Sequence, residues 1–261
     1  MYIATVHSTN SWIREHLDTF EGSLWTSCQT AGRGQAGNSW ESEKGKNLLF
    51  SYLVRQPAVE VGHAFRLTMA TSLAVCDILD AELLEHCQPS IKWPNDIYVG
   101  DKKICGILIE TGLVGQRMDY AIIGIGLNIN QTQWLGDAPN PVSLKQVTGR
   151  EEHIEEIEQR LEEALKRRLE QVNEPQRLKE EYMERLYRRT GEWWWKEREV
   201  STEPTRIVGG ETTGAFRAVI KDVCENGEIV LEFLEPLDSL NHLDNLEKTK
   251  KYHFKQIQYV L

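Results

Sequence analysis

Three short stretches of this chain carry residue types that ordinary packing does not require. In residues 31–37 three glycines, Gly32, Gly34 and Gly37, surround Arg33 with neither helical nor strand periodicity. Glycine tolerates positive φ and has no Cβ, so backbone N–H groups can turn toward a phosphate or carboxylate while the arginine adds a planar, permanently charged fork. The same run also reads as a glycine-rich hairpin with one solvated arginine. The second stretch is Lys92-Trp93-Pro94-Asn95-Asp96. A strand delivers a lysine and is then stopped by proline and two turn formers, which either holds the ammonium in a pocket or leaves a surface lysine before a turn. The third, Gly124-Ile125-Gly126-Leu127-Asn128-Ile129-Asn130, combines glycines that permit close approach with an amide able to read an adenine edge.

The elements needed to hold these stretches are legible as patterns. Ser8, Thr9 and Asn10 precede Ile13, Leu17 and Phe20 at helical spacing, so one of the three caps a short helix. A strand over 23–27, the glycine loop and a strand over 48–54 follow. Leu67, Ala70, Leu73, Ala74, Ile78 and Ala81 form one face of a long helix over 62–84. Short strands at 90–93, 97–99, 104–110 and 120–128 form a meander. A helix over 154–172 turns Ile157, Leu161 and Leu165 inward, and its charges, Glu158 and Arg160 among them, form a solvated face. Strands without regular β-α-β alternation predict an α+β fold, a mixed β-sheet with helices on one face.

Beyond residue 192 the pattern changes to Trp193-Trp194-Trp195, then strands at 215–220, 228–233 and 252–260 with an Asn226-Gly227 turn. The expected domains are 1–192 and a small C-terminal β-barrel over 193–261. The tryptophans are expected as buried packing at the junction, and residues 237–250 as a flexible loop.

Composition narrows the function. Forty acidic against thirty basic residues give a net charge of −10, which opposes non-specific binding to nucleic acid and makes DNA an unexpected partner. The five cysteines have no C-x-x-C spacing and read as reduced, mostly buried thiols. Scattered histidines give no site for a protein-bound metal. No stretch approaches the roughly 20 apolar residues of a membrane span, and the N-terminus has no signal core, so a cytoplasmic protein is expected.

Together the marks Ser8-Thr9-Asn10, Gln29, Gly32-Arg33-Gly34, Asn38-Ser39-Trp40, Lys92 to Asp96, Lys103 to Glu110 and Gly124 to Asn128 make the chain resemble the bacterial biotin protein ligases. The resemblance implies a class II aminoacyl-tRNA synthetase/biotin ligase-like catalytic domain followed by an SH3-like barrel. It implies ATP and biotin as substrates, Mg2+ with the nucleotide, and a biotin carboxyl carrier protein or domain of a biotin-dependent carboxylase as acceptor. By resemblance, Lys92 and Arg33 are the catalytic residues. Ser8, Thr9, Asn10, Gln29, Gly32, Arg33, Lys92 and Gly106 line the biotin pocket. Arg33, Gly34, Gln35, Gly37, Trp40, Lys92, Asn95, Lys103 and Asn128 hold ATP or the adenylate, with Trp40 packing on adenine. A lipoate or other acyl-adenylate ligase and a non-catalytic biotin sensor are the alternatives, and a homodimer stays open.

Two departures from the family pattern stand out. The commoner loop reads Gly-Arg-Gly-Arg-Arg-Gly, whereas Gln35 and Ala36 occupy the fourth and fifth places here, leaving Arg33 as the loop's one cation. Glutamine donates hydrogen bonds but neutralises no charge, so Arg33 is expected to dominate the clamp. Only seven residues precede Ser8, so a ligase without the DNA-binding domain of some relatives is expected.

Overall fold

The computed structural model describes residues 1–83, 87–136, 140–198, 215–234 and 248–260. Contacts divide the chain into two units, Met1–Tyr187 and Arg188–Leu261. The division falls a few residues before the boundary expected at Glu192/Trp193. Arg188 donates to Val260 O and Arg189 to Ile220 O, which ties both arginines to the second unit.

The first unit is built on six strands: β1 (Gly22–Thr26), β2 (Leu48–Arg55), β3 (Pro89–Lys92), β4 (Asp96–Val99), β5 (Lys102–Val114) and β6 (Arg117–Leu127). Their order is β1-β2-β6-β5-β4-β3, and each ladder is antiparallel. Parallel bridges Tyr2–Trp25 and Val6–Gln29 along β1, and Ile91–Leu186 at β3, make the sheet mixed.

Side chains alternate between the two faces of each strand. Tyr52 and Ser23 therefore share one face, where Ser23 Oγ donates to Glu162 Oε2 at 2.6 Å. That face carries the long helices α2 (Phe65–Leu83), α4 (Ile154–Glu170) and α5 (Pro175–Glu184), with α2 packed on both α4 and α5. The opposite face carries the short helix α1 (Thr9–Glu15), whose Ile13 joins Phe20, Leu24, Leu53 and Ile122 in a buried cluster. Ser8 caps α1 by accepting from the Ser11 N–H, so the expected cap residue is the first of the three polar ones.

Several elements depart from their sequence expectation. Charges of α4 read as solvated in part cross to α2: Arg168 grips Asp77 through two 2.8 Å hydrogen bonds, Arg160 binds Glu82, and Glu158 is buried. Desolvation then pushes the Glu158 carboxyl above the usual range, helped by neighbouring Glu162. Helix α5 begins at Pro175 and buries only Leu178 and Tyr182, and α3 (Leu144–Thr148) is held by a capping box between Ser143 and Gln146. Neither was legible from apolar periodicity, because too few inward positions exist to set a period.

The second unit is a five-stranded antiparallel sheet: β7 (Trp193–Glu197), β8 (Ala215–Val223), β9 (Ile229–Phe233), β10 (Thr249–Tyr252) and β11 (Ile257–Tyr259), in the order β10-β9-β8-β7-β11. It is compatible with the expected SH3-like unit, and among the described residues no ladder closes it into a barrel. The strand expected at 252–260 is split by a turn after Tyr252. Of the loop expected at 237–250, residues 237–247 lie outside the described residues and Thr249 and Lys250 begin β10. The tryptophans follow strand alternation rather than packing as a block: Trp195 is fully buried, while Trp194 is 52 % exposed.

Of the five thiols, Cys76 and Cys105 are buried and the other three are half-buried, so "mostly buried" overstated the pattern. Desolvation pushes the Cys76 thiol up to about 12 and that of Cys105 well above its ordinary value. A thiol that titrates higher folded than unfolded contributes its full stability below about pH 8.5 and loses it as pH rises through the folded value. Iodoacetamide at pH 8 is expected to leave Cys76 and Cys105 unlabelled until denaturant is added; mass-spectrometric detection of either adduct on the native protein would contradict their burial.

Candidate active site

Two cavities meet on the α1 face of the first sheet. The inner one is lined by α1 and its cap, the glycine loop and parts of β5 and β6. Its polar wall is formed by Ser8, Thr9, Asn10 and Gln29, and the loop adds Arg33, Gly34 and Gln35. The adjoining one is lined by Asn38, Ser39, Glu41, Asn128, Trp134, Gly136, Asn140 and Pro141. Trp40 and Lys103 line both. An indole and an ammonium therefore stand at the junction between the two.

Glycines decide how this floor is made. In the β5–β6 register Gly106 faces Gly126, and in the β2–β6 register Ser51 faces Gly124. A Cβ on Gly106 would lie 2.6 Å from the Trp40 ring, one on Gly126 2.4 Å from it, and one on Gly124 2.4 Å from Asn10 Oδ1. The indole and the Asn10 amide lie directly on backbone, which only glycine allows. Gly32 is required for a similar reason: its added Cβ would sit 2.6 Å from Trp40 O, where the loop closes through a Trp40 N–H to Gly32 O bond.

Two lysines stand near this site, Lys92, which the resemblance names, and Lys103. Lys92 Nζ donates to Tyr98 OH at 2.8 Å, lies over the Tyr98 ring, and lines neither cavity. It ends edge strand β3 opposite Asp96, which in turn faces Gly106 on β5. Lys103 on β5 is the lysine at the junction. Its Nζ is 2.6 Å from Asp96 Oδ1 and 5.5 Å from the Trp40 ring centroid. An ammonium carries three donors, so Asp96 leaves two for a ligand. Asp96 lies in the same motif as Lys92 and is its cross-strand partner, while its carboxylate reaches Lys103.

Arg33 reaches Glu110 Oε2 at 2.7 Å, and the same carboxylate accepts from Asn10 Nδ2 at 2.9 Å and pairs with Arg14. Burial pushes the Glu110 carboxyl up, but the hydrogen bonds from Asn10 and Arg14 and the charges of Arg33 and Arg14 outweigh it and hold it below the ordinary range. Because Arg14 and Asn10 remain, Glu110 stays compensated if Arg33 turns to an anionic ligand.

The other expected residues divide. Gln29 faces Thr9, whose N–H donates to Gln29 Oε1 at 2.8 Å. Asn10 lines the pocket, but its Nδ2 is committed to Leu108 O and Glu110, and its Oδ1 lies 2.6 Å from Ser51 Oγ. These bonds fix the Asn10 amide in the cavity wall. Asn95 also lines the pocket with its Nδ2 committed to Ile107 O. Gly37 turns the loop at φ +85° and lines neither cavity. Asn128 belongs to the adjoining cavity: Nδ2 donates to Val142 O at 3.1 Å, while its buried Oδ1 has no partner among the described residues. An unsatisfied buried acceptor fits a ligand donor such as an exocyclic amine. Asp96 and Glu110 lay inside quoted motifs without an assigned role, and Ser51 escaped sequence reasoning; a serine inside the apolar 48–54 strand was its one signal.

Residues 8–128 match the model of the biotin/lipoate A/B protein ligase family. The chain is 36 % identical over 126 residues to the bifunctional ligase/repressor BirA of Bacillus spizizenii, a match covering 46 % of this chain and 37 % of that protein. It is 31 % identical over 153 residues to a biotin acetyl-CoA-carboxylase ligase of Paracoccus denitrificans, covering 56 % and 63 %. The matched segment thus spans little more than a third of the Bacillus relative. In fold, the chain resembles the biotin protein ligase from Aquifex aeolicus in complex with biotin and ATP, with TM-score 0.73 and 21 % identity over 100 % of this chain and 98 % of that one.

The glycine seat can be tested by itself. In Gly126→Ala the indole must leave the sheet, so the Trp40 Nε1–H resonance should shift in a nitrogen–proton correlation spectrum. An unmoved resonance would mean the ring rests elsewhere.

Proposed function

Since residues 8–128 match the biotin/lipoate A/B protein ligase family, we propose that this chain belongs to it, activates biotin with ATP and transfers the biotinyl group to a lysine of a carrier domain of a biotin-dependent carboxylase. One observation carries the reading: Lys103 stands where the two cavities meet. The ureido ring sits against Ser8, Thr9 and Gln29, with its carboxylate directed to the junction. The adenine occupies the adjoining cavity near Asn128 and Trp40, which brings the α-phosphate to the same point. A dithiolane ring has no N–H to offer the Thr9 and Gln29 oxygens, which supports biotin over lipoate.

In the first step a biotin carboxylate oxygen attacks the α-phosphorus, the bond to the β-phosphate oxygen breaks, and pyrophosphate leaves. Two anions must approach, so a fixed cation between them lowers the barrier by orientation and charge. Lys103 takes that role, and Arg33 on the glycine loop closes over the acyl-adenylate. Gly34 and Gln35 add hydrogen bonds. Magnesium enters as the counter-ion of the nucleotide substrate, not as a resident metal. In the second step the neutral amine of a carrier lysine attacks the acyl carbon, AMP leaves with the bonding pair, and the amine loses a proton. Residues 1–192 hold this chemistry in our reading; the role of 193–261 is not part of it.

Biotin-dependent ATP–pyrophosphate exchange tests the assignment. Lys103→Ala should lower the exchange rate by about 10²–10³-fold, the usual effect of removing one charge-stabilising donor, while Lys92→Ala stays within about threefold of the parent. The reverse ranking would return the role to Lys92, and a parent protein without biotin-dependent exchange would refute the function.

A further inference from the structure

The buried hydroxyls behind the inner cavity can be assigned by counting protons. Asn10 is oriented without ambiguity, because its Nδ2 faces two acceptors, Leu108 O and Glu110 Oε2. Its Oδ1 therefore faces Ser51 Oγ at 2.6 Å and needs a proton from it. Ser51 is fully buried and has one proton to give. The Thr9 and Ser51 oxygens are 2.7 Å apart, a distance that requires a proton between them. With the Ser51 proton committed to Asn10, that proton comes from Thr9. The chain of donation runs Thr9 to Ser51 to Asn10.

This order has a consequence on the cavity side. Thr9 Oγ1 is also 3.1 Å from Gln29 Oε1, which is itself fixed as an acceptor by the Thr9 N–H at 2.8 Å. With the Thr9 proton turned away, both oxygens present lone pairs to the cavity that Thr9 and Gln29 line. A pair of acceptors this close is satisfied by one N–H donor from a ligand. We propose that Ser51 is a specificity-positioning residue: it draws the Thr9 proton away from the cavity and so presents an acceptor-only pair that selects a ligand with an N–H, here a ureido nitrogen. The inference rests on the reading that biotin occupies this pocket. Ser51 touches no ligand and acts through Thr9.

Without the Ser51 hydroxyl, the Thr9 proton turns to Gln29 Oε1, and the acceptor pair satisfies itself before the ligand arrives. The test is a mutant cycle on the full chain, with biotin affinity read by titration calorimetry and turnover by pyrophosphate exchange at saturating biotin. Ser51→Ala should raise the biotin Kd about tenfold, within the range for misdirecting a buried hydrogen bond, with kcat within about twofold. Ser51→Cys, which returns a weak donor, should recover part of the loss and carries the same cycle if the alanine variant does not fold. In a Thr9→Val background, where no hydroxyl remains to be oriented, adding Ser51→Ala should change the Kd by less than about twofold. An equal cost in both backgrounds, or a fall in kcat at unchanged Kd, would overturn the role of Ser51 while leaving the proposed function standing. A parent protein that fails to bind biotin would overturn both.

Discussion

The site depends on a patch of sheet with no side chains. Gly106 and Gly126 oppose one another across β5 and β6, and Gly124 lies two residues along the same face. A Cβ at any of the three would come within 2.6 Å of an atom that belongs there, the Trp40 indole or the Asn10 amide. The bare backbone lets α1 descend on one end and the glycine loop fold its Trp40 across the other. Both walls of the inner cavity, and its boundary with the adjoining one, follow from that close approach. Glycine in a strand ordinarily weakens it; here the two central strands are long and paired on both sides, so the sheet tolerates the loss.

Charge is distributed on this surface so that no cation is left without compensation before a ligand arrives. Lys103 is matched by Asp96, and Arg33 by Glu110, which Arg14 and Asn10 also engage. Each pair is partly open to solvent, so its value for stability is small. Its value for function is positional: the cations are held at the rim of the inner cavity and the junction with spare donors. Lys92 is held equally well, by Tyr98, but at the sheet edge.

That distinction explains how far the sequence could be read. Strand and helix positions followed from apolar spacing wherever an element buried several side chains, as β2, α2 and α4 do. Elements with one or two inward residues, α3 and α5, did not announce themselves, and the 252–260 strand concealed a turn. Among the residues named from motifs, Ser8, Thr9, Gln29, Arg33, Gly34, Gln35, Trp40 and Gly106 line the inner cavity. For Lys92 and Lys103 a motif gives order along the chain but not which side chain reaches the cavity; a bulge between Ile97 and Tyr98 shifts the β4–β5 register on which that depends. Ser51 carries no motif, and its significance appears only once the orientation of Asn10 is known.

The central claim is that Lys103, at the junction of two cavities, meets both the carboxylate of one substrate and the α-phosphate of the other. A crystal structure of the protein with a non-hydrolysable biotinyl-adenylate analogue addresses it most directly. The account predicts Lys103 Nζ within about 3.2 Å of the linkage between the acyl and phosphate groups, with Lys92 still on Tyr98. An analogue whose linkage is contacted by Lys92, with Lys103 remaining on Asp96 alone, would contradict it.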